Sequence, residues 1–204
     1  MNEMPAKLKA RAERKTAKRD AKKRQIAASA IEALKELGYA NTSLRDIADR
    51  CDLSLGMLHY YFEDRSELII YCVQIYKHEF VRKIASALEQ TTGRDQVIDA
   101  FAEVLVASII DDDMAHRLWY DIRSQAMFDE TFRPVVDELE AMLIAIMATA
   151  MRQAGNADPA QVELKYAMLD GLFRFFMQDG IGQTDHSRDQ LLSAFHAQLA
   201  TIFG

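Results

Sequence analysis

Apolar residues recur at intervals of three and four positions along most of this chain, which is the spacing of one face of an α-helix. The first clear stripe begins after Lys22 and ends before Gly38, a residue suited to a helix C-cap. It comprises Ile26, Ala30, Ala33, Leu34 and Leu37. A second stripe continues from Glu67 to Leu88, about six turns. Because no segment alternates apolar and polar residues as a strand does, the pattern predicts an all-α protein.

Between these stripes lie two short helical patterns separated by a turn. In the first, Leu44, Ile47, Ala48 and Cys51 occupy positions i, i+3, i+4 and i+7. Either Thr42 or Ser43 can cap its N-terminus, and Asp52-Leu53 forms the turn, where Asp can adopt a positive φ. Ser54 can cap the second short helix, Leu55 to Tyr61, and Asp64 or Ser66 can start the next. Two short helices joined by a tight turn indicate a helix-turn-helix, whose second helix can enter the DNA major groove.

The same residues resemble a known family. The order Thr42, Ile47-Ala48, Ser54, Gly56, Tyr60-Tyr61-Phe62, Arg65 and Leu68 is similar to the DNA-binding domain of TetR-family transcriptional regulators. Cys51 and Asp52 stand where the family usually has Ala-Gly, His59 where it often has Tyr, and Arg65 where it has Lys. The resemblance implies a homodimer with an N-terminal helix-turn-helix domain and a C-terminal helical bundle for ligand binding and dimerisation.

On this basis we expect Leu55 to Tyr61 to form the recognition helix. Leu58 and Phe62 should point inward, and Gly56 should let the backbone approach the duplex. The expected DNA-binding residues are Thr42, Ser43, Arg45, Ser54, Leu55, Gly56, Met57, His59, Tyr60, Tyr61 and Arg65. Of these, Ser54, Tyr60, Tyr61 and Arg65 are expected to contact phosphates.

Thr91-Thr92-Gly93 interrupts the pattern, and further helices follow. They are predicted over Gln96–Ile110, from Asp111-Asp112-Asp113 to Phe128, over Val135–Arg152 after Pro134, from Pro159 to between Gln178 and Gly182, and over Ser187–Phe203. The expected organisation is a basic, flexible extension over residues 1–18, a DNA-binding domain over 19–66 and a ligand-binding and dimerisation domain over 67–204.

Charge is distributed unevenly. Residues 1–65 carry 14 Lys/Arg and 10 Asp/Glu, a net charge of +4, whereas residues 66–204 carry 11 and 21, a net charge of −10. Ten of the basic residues lie within residues 1–30. A basic tail can be a solvated segment that aids solubility, but beside a helix-turn-helix an arm that binds nucleic acid is the better interpretation.

Other chemistry is sparse. There is no phosphate-binding loop, dinucleotide fingerprint or nucleophile elbow, so we expect neither an enzyme nor a cofactor. His116, Asp121, Asp129 and Glu130 do not converge on one helical face and are interpreted as scattered surface groups, so no metal site is expected. Cys51 and Cys72 fall on apolar faces and are interpreted as core thiols. With no secretory signal and no apolar run of about 20 residues, a cytoplasmic protein without a membrane partner is expected.

The Met and aromatic residues of the C-terminal half have two interpretations: the core of a bundle, or in part the walls of a small-molecule cavity. The TetR resemblance implies a cavity for an effector of unknown identity. Its candidate lining is Phe101, Leu105, Trp119, Tyr120, Arg123, Met127 and Met142.

The last two predicted helices carry apolar stripes that would suit either a monomer core or a dimer interface. In the TetR family these helices form a four-helix dimer interface, which the resemblance therefore implies here. The candidate residues are Leu164, Met168, Leu172, Phe175, Phe176, Leu191, Phe195 and Leu199.

The resulting functional hypothesis is a homodimeric transcriptional regulator, a repressor released from a palindromic operator on double-stranded DNA by a small molecule. The alternative is a helical small-molecule-binding or adaptor protein without specific DNA binding.

Overall fold

The structure, a computed structural model, describes residues 6–38, 41–156, 158–179 and 186–204, with side chains from Glu13 onward. Regular structure in these ranges is entirely helical, as predicted. The α-helices are α1 (Ala6–Leu37), α2 (Leu44–Arg50), α3 (Leu55–His59), α4 (Arg65–Leu88), α5 (Arg94–Asp111), α6 (Asp113–Gln125), α7 (Arg133–Gln153), α8 (Val162–Asp179) and α9 (Arg188–Ile202). A short 3₁₀ turn, Pro159–Gln161, precedes α8.

The first helix begins at Ala6, far earlier than the position near Lys22 that the apolar stripe indicated. Its early residues include no Gly or Pro, and Ala, Lys, Arg and Glu are strong helix formers. Side chains 13–21 are nevertheless all exposed, and the first buried one is Ile26. Residues 1–5 of the predicted basic extension lie outside the described residues.

The end of α1 follows the prediction closely. Gly38 has φ +80°, a conformation that costs glycine little, and its N–H donates to the carbonyl of Leu34 at 3.0 Å. The predicted C-cap is therefore confirmed. Leu37, the last residue of the predicted apolar stripe, is not part of the core, because 44% of its surface is exposed.

The chain divides into two compact units, Met1–Ile75 and Tyr76–Gly204, so the boundary falls inside α4 and not at residue 66. The reason is packing: Leu68 and Cys72 of α4 belong to the core of the first unit, and Tyr71 and Ile75 pack against it. The rest of this core comes from α1, α2, α3 and the residues that directly follow α2 and α3. It comprises Ile26, Ala27, Ala30, Ala33, Ile47, Ala48, Cys51, Leu58 and Phe62.

In the second unit α5 packs chiefly against α9, and α7 packs against α8. The observed bounds match the predicted helices within a few residues, and Pro134 lies in the first turn of α7 as expected. The exception is α6, which ends at Gln125, so that Met127 and Phe128 lie beyond it and are 67% and 89% exposed. Within the described part of the chain, no helix is long and apolar enough to cross a bilayer.

Candidate functional site

The start of α2 is fixed by a reciprocal pair of hydrogen bonds. The N–H of Asp46 donates to Ser43 Oγ at 3.3 Å, and the N–H of Ser43 donates to the Asp46 carboxylate at 2.7 Å. The Ser43 hydroxyl also donates to the Asp46 carboxylate, and these two bonds to the carboxylate, the one from the hydroxyl above all, lower the pKa of Asp46. The reciprocal pair makes Ser43 the N-cap. Thr42 has another role: it is 3% exposed, and its hydroxyl donates to the Gly38 carbonyl at 2.8 Å. Its side chain has no surface to offer to DNA, which corrects the prediction that it contacts the duplex.

The turn between α2 and α3 forms as the sequence predicts. Asp52 has φ +53°, and the N–H of Leu53 donates to the Ala48 carbonyl at 2.9 Å. Ser54 Oγ then accepts the N–H of Met57 at 3.2 Å, which caps α3. The regular part of α3 ends at His59, and the backbone of Tyr60 remains helical at its C-cap.

The two faces of α3 differ sharply in exposure. Leu58 and Phe62 are at most 1% exposed, which confirms their predicted inward orientation. Met57 and Tyr60 are 48% and 57% exposed, and Gly56 and His59 are exposed as well, whereas Leu55 is half-buried. A Cβ placed on Gly56 would meet no atom of the protein within 4 Å. The outer face of α3 is therefore free to meet another molecule.

A basic groove lies beside this face, between α1 and the end of α3. It has a volume of about 340 Å³ and is lined by Lys15, Thr16, Lys18, Arg19, Tyr60 and Tyr61. The Arg19 guanidinium lies 5.8 Å from the centre of the Tyr60 ring, which in turn packs edge-on against Tyr61. Cations and phenolic hydroxyls are groups that commonly bind phosphate oxygens.

The groove and α3 are held in place by contacts around Lys23 of α1. Its ammonium forms an ion pair with Glu67 at 3.0 Å and lies 4.5 Å and 5.1 Å from the ring centres of Phe62 and Tyr71. Glu67 also accepts the N–H of Glu63 at 2.6 Å. These contacts tie the segment after α3 to α1, so that the outer face of α3 has a fixed position in the first unit.

Of the other predicted DNA-binding residues, Ser43, Arg45 and Ser54 are exposed, and Arg65 is half-buried at the start of α4. The structure brings all of them, with the outer face of α3, into the first unit. The cysteines are buried in that unit, as expected. Burial raises the pKa of Cys72 to about 12, so its thiol stays protonated.

The second unit contains a small, mainly apolar cavity of about 50 Å³. Helices α4 to α8 supply its walls. They are Lys77, Phe80, Ile84, Phe101, Leu105, His116, Tyr120, Leu143, Ile146, Met147, Tyr166, Leu169, Asp170 and Phe173.

One buried polar network at this cavity joins α4 to α6. Tyr76 Oη and Lys77 Nζ lie 2.6 Å and 3.2 Å from the two ring nitrogens of His116, which is fully buried. The lysine donates to Nδ1, so Nε2 carries the proton and donates to the tyrosine. Burial and the charge of Lys77 hold the pKa of His116 well below its usual range, and burial lowers the pKa of Lys77 to about 7.

A second network joins α6, α7 and α8. The Asp170 carboxylate accepts a hydrogen bond from the Tyr120 hydroxyl at 3.0 Å and pairs with Arg123 at 2.5 Å. Arg123 also pairs with Glu140 at 2.5 Å. Burial raises the pKa of Tyr120, and Asp170 raises it further. The Tyr166 hydroxyl, also at the cavity, is buried without a hydrogen-bond partner.

The predicted ligand-binding residues are therefore only partly at the cavity. Phe101, Leu105 and Tyr120 line it, whereas Trp119 is fully buried core and Met142 is not among the lining residues. Arg123 and Met127, together with Tyr120, line a separate shallow groove. The sequence interpretation missed Lys77 and Asp170, and it placed His116 on the surface.

The predicted dimer residues also divide into two groups. Leu164, Met168 and Phe175 of α8 are 65%, 45% and 57% exposed, and Leu172 and Phe176 are half-buried. Leu191, Phe195 and Leu199 of α9 are at most 4% exposed. Since their side chains are already buried within the protomer, they cannot supply an interface, and this part of the prediction is corrected.

Among the residues that the structure describes, no group of three or more His, Cys, Asp or Glu side chains could hold a metal ion.

The first unit, with two capped helices, a tight turn and an exposed polar-aromatic second helix beside a basic groove, defines a helix-turn-helix DNA-binding protein. Residues 26–72 match the family model for bacterial regulatory proteins of the tetR family, and residues 92–201 match that for the tetracyclin repressor-like C-terminal domain. The chain belongs to the TetR family of transcriptional regulators.

Individual relatives are distant. The chain is 25% identical over 167 residues to the HTH-type transcriptional regulator PksA of Bacillus subtilis, covering 78% of this chain and 80% of that protein. It is 28% identical over 103 residues to the HTH-type transcriptional activator FasR of Mycolicibacterium smegmatis, covering 50% and 47%. The crystal structure of the regulator FadR from Bacillus subtilis in complex with stearoyl-CoA has the same fold, with a TM-score of 0.66, 16% identity and coverage of 88% and 97%.

Proposed function

We propose that this protein is a cytoplasmic, homodimeric repressor that binds a palindromic operator and is released from it by a small molecule. The observation that carries the proposal is the difference in exposure between the two faces of α3. Leu58 holds the helix on the core, while Met57, His59 and Tyr60 are exposed. A short helix presented in this way can reach base edges in the major groove.

Phosphate contacts would come from both sides of α3. The basic groove of Lys15, Lys18 and Arg19 lies on one side, and Ser43 and Arg45 of α2 are exposed. Each phosphate that a cation neutralises releases condensed counterions and makes binding more salt-dependent. The ten basic residues within residues 1–30 support a role for the extended α1 in this contact.

The dimer would form through α8. Leu164, Met168 and Phe175 follow one face of this helix at helical spacing and are all exposed. An apolar stripe of this kind commonly marks a protein interface. A dimer is also what recognition by a five-residue helix requires, because two such helices about 34–36 Å apart read two half-sites one DNA turn apart.

The effector would act through α4. Leu68 and Cys72, in its first half, belong to the core of the first unit, while Lys77, Phe80 and Ile84, in its second half, line the cavity. A ligand that moves the second half would bias the position of the first. A coupling of about 1–3 kcal/mol would change operator affinity roughly 5–150-fold, and operator would weaken the ligand by the same factor.

The DNA-binding part is tested by selection. The purified full chain is mixed with a random duplex library, and the enriched sequences are read after several rounds. A palindrome should be enriched, and its affinity should fall steeply with salt. If no sequence is enriched, the protein is better described as a small-molecule-binding or adaptor protein.

The repressor part needs a separate measurement, because the relative FasR is described as an activator. The selected site is placed in its native position upstream of a reporter, and transcription is compared with and without the protein. Transcription should fall when the protein is present. A rise would overturn repression and leave DNA recognition intact.

A further inference from the structure

The cavity of the second unit has an uneven balance of hydrogen-bond donors and acceptors. Lys77 is 3% exposed, and its ammonium has three N–H groups, of which one donates to His116. The ammonium otherwise faces aromatic rings, with the ring centres of Phe80 and Trp119 each at 5.1 Å. The buried Tyr166 hydroxyl has no partner. Two groups at this cavity can therefore donate further hydrogen bonds.

The acceptors at the cavity are already engaged. Asp170 is the one carboxylate among the lining residues, and each of its two oxygens already accepts a hydrogen bond, one from Tyr120 and one from Arg123. His116 Nδ1 accepts from Lys77. The remaining walls, on α5 and α7, are aliphatic or aromatic side chains. A ligand that enters this space thus meets apolar walls and spare donors.

We propose that the effector is an apolar carboxylate, with its anionic group bound by Lys77 and Tyr166 and its hydrocarbon part between α5 and α7. This inference rests on the proposed function, in which a small molecule occupies the cavity. Among the described residues, Asp170 attracts the buried ammonium electrostatically but is shared with Tyr120 and Arg123, so a bound carboxylate would give Lys77 a direct ion-pair partner of its own. A cationic ligand would be repelled by Lys77, and a neutral one would leave it without a counter-ion.

The size of the cavity limits the hydrocarbon part. Ligand pockets typically have volumes of roughly 300–1,000 Å³, whereas this cavity has about 50 Å³. Binding therefore requires side chains such as Leu143 and Met147 to move, and flexible Met is suited to that. We expect carboxylates with short and medium hydrocarbon chains to bind more tightly than those with long chains.

Binding should also be linked to protonation. The charged and titratable groups around Lys77 are His116, Tyr120 and Arg123 of α6, Tyr166 and Asp170 of α8, and the adjacent Tyr76. With the pKa of Lys77 at about 7, part of the population is uncharged at neutral pH. An anion raises this pKa, so the complex takes up a proton. Affinity should then be highest below about pH 7 and fall up to about tenfold per pH unit above it.

The test is isothermal titration calorimetry of the full chain, without DNA, with octanoate, octanol and octylamine. Octanoate should bind at least about tenfold more tightly than the other two ligands. Repeating the titration in two buffers of different ionisation enthalpy should reveal net proton uptake. Equal binding of octanol or octylamine would overturn the inference. The carboxylate series from butanoate to dodecanoate then locates the best chain length.

Three variants assign the site. Lys77→Met should remove the preference for octanoate, and Tyr166→Phe should weaken octanoate a few-fold while keeping the ring. Lys165→Met, next to Tyr166 in sequence but not among the cavity residues, is the matched control and should bind as the parent does. Unchanged octanoate binding by Lys77→Met would contradict the proposal. If that variant fails to fold, the ranking of octanoate, octanol and octylamine on the parent protein and the effect of Tyr166→Phe decide.

Failure here is distinct from failure of the proposed function. If the operator is found but octanoate does not bind, the protein remains a DNA-binding regulator with another effector. If octanoate binds at Lys77 and leaves operator affinity unchanged, the carboxylate site stands, and its role as an effector site is wrong.

Discussion

The two units of this protein place their functional groups in opposite environments. In the first, the residues proposed to meet DNA are exposed on a five-residue helix that Ser54 caps and the buried Leu58 anchors. In the second, Lys77 and His116 are buried, and they are brought together by α4 and α6, which are far apart in the sequence. We therefore expect changes at the exposed site to have little effect on stability, and changes at the buried site to affect both stability and binding.

The largest expected effect comes from the exposed stripe of α8. Phe175→Glu places a charge where a partner's apolar surface is expected, so the dimer should separate into folded monomers. Loss of bivalent binding should weaken the selected palindrome about 10²–10⁴-fold. Multi-angle light scattering gives the mass, and a mobility-shift titration gives the affinity.

Phe128→Glu is the matched control, because Phe128 is also a highly exposed Phe of the second unit but lies outside α8. It should leave the dimer intact. If Phe128→Glu separates the dimer and Phe175→Glu does not, the interface lies elsewhere, and the exposed face of α8 has another role.

The next effect tests whether recognition is separable from stability in the first unit. A Cβ on Gly56 meets open space, so Gly56→Ala should fold and gain about 0.4–1 kcal/mol in its free energy of unfolding. The added methyl should hold α3 away from the bases. Losing two base contacts of about 1.4 kcal/mol each, near the lower end of the usual range, corresponds to a roughly 100-fold loss of operator affinity.

Urea unfolding and duplex titration measure the two quantities on the same sample. Asp49→Ala, at an exposed position of α2 outside the predicted contacts, should retain affinity. Operator binding by Gly56→Ala at the parent's strength would mean that α3 does not approach the duplex closely.

This contrast also explains which features could be predicted from sequence. The cap at Ser43, the positive φ of Asp52, the cap at Ser54 and the inward side of α3 depend on residues within a few positions of one another. Local patterns carry that information. The residues that carry the TetR resemblance lie in the same segment. The resemblance therefore added a function to a part of the fold that local patterns already predicted.

The buried site could not be read in this way, because its partners are far apart in the chain. His116 lies 39 positions from Lys77, and Asp170 lies 47 from Arg123. One signal was available: Lys77 interrupts the buried stripe of Val73, Phe80 and Ile84. A lysine on an apolar face indicates either a surface or a function, and the pattern alone does not choose.

The amphipathic helices of the second unit had a related ambiguity. An apolar stripe shows that a face is buried, but not by what. The stripe of Leu191, Phe195 and Leu199 on α9 is buried within the protomer, whereas that of Leu164, Met168 and Phe175 on α8 remains exposed. Only the packed structure separates the two cases.

The third prediction concerns the buried lysine and pH. Burial lowers the pKa of Lys77 to about 7, whereas the unfolded chain keeps its ordinary value of 10.5. Between these values the unfolded state binds more protons, so the free energy of unfolding should rise with pH. The contribution of this one group is at most about 1.4 kcal/mol per pH unit, and it should disappear below about pH 7.

Urea unfolding between about pH 7 and pH 9 measures that slope. Lys77→Met should have a smaller slope than the parent by nearly this amount, and Lys165→Met should keep the parent's slope. Identical slopes for the parent and Lys77→Met would show that Lys77 stays charged over this pH range. Burial would then not change the protonation of Lys77, and the two units would differ less than we infer.

The smallest effect tests the basic groove beside α3. Lys18 is exposed on α1 and lines that groove, so Lys18→Ala should remove about one phosphate contact. The slope of log affinity against log salt should become shallower by roughly 0.9, the ranking of operator variants should not change, and stability should stay the same.

Arg152→Ala, at an exposed position of α7 in the second unit, is the control and should leave the salt slope unchanged. If Lys18→Ala changes which bases are preferred, α1 contacts bases, and sequence recognition is not confined to α3. If neither variant alters the slope, Lys18 does not contact the duplex, and its part of the basic groove has no role in binding DNA.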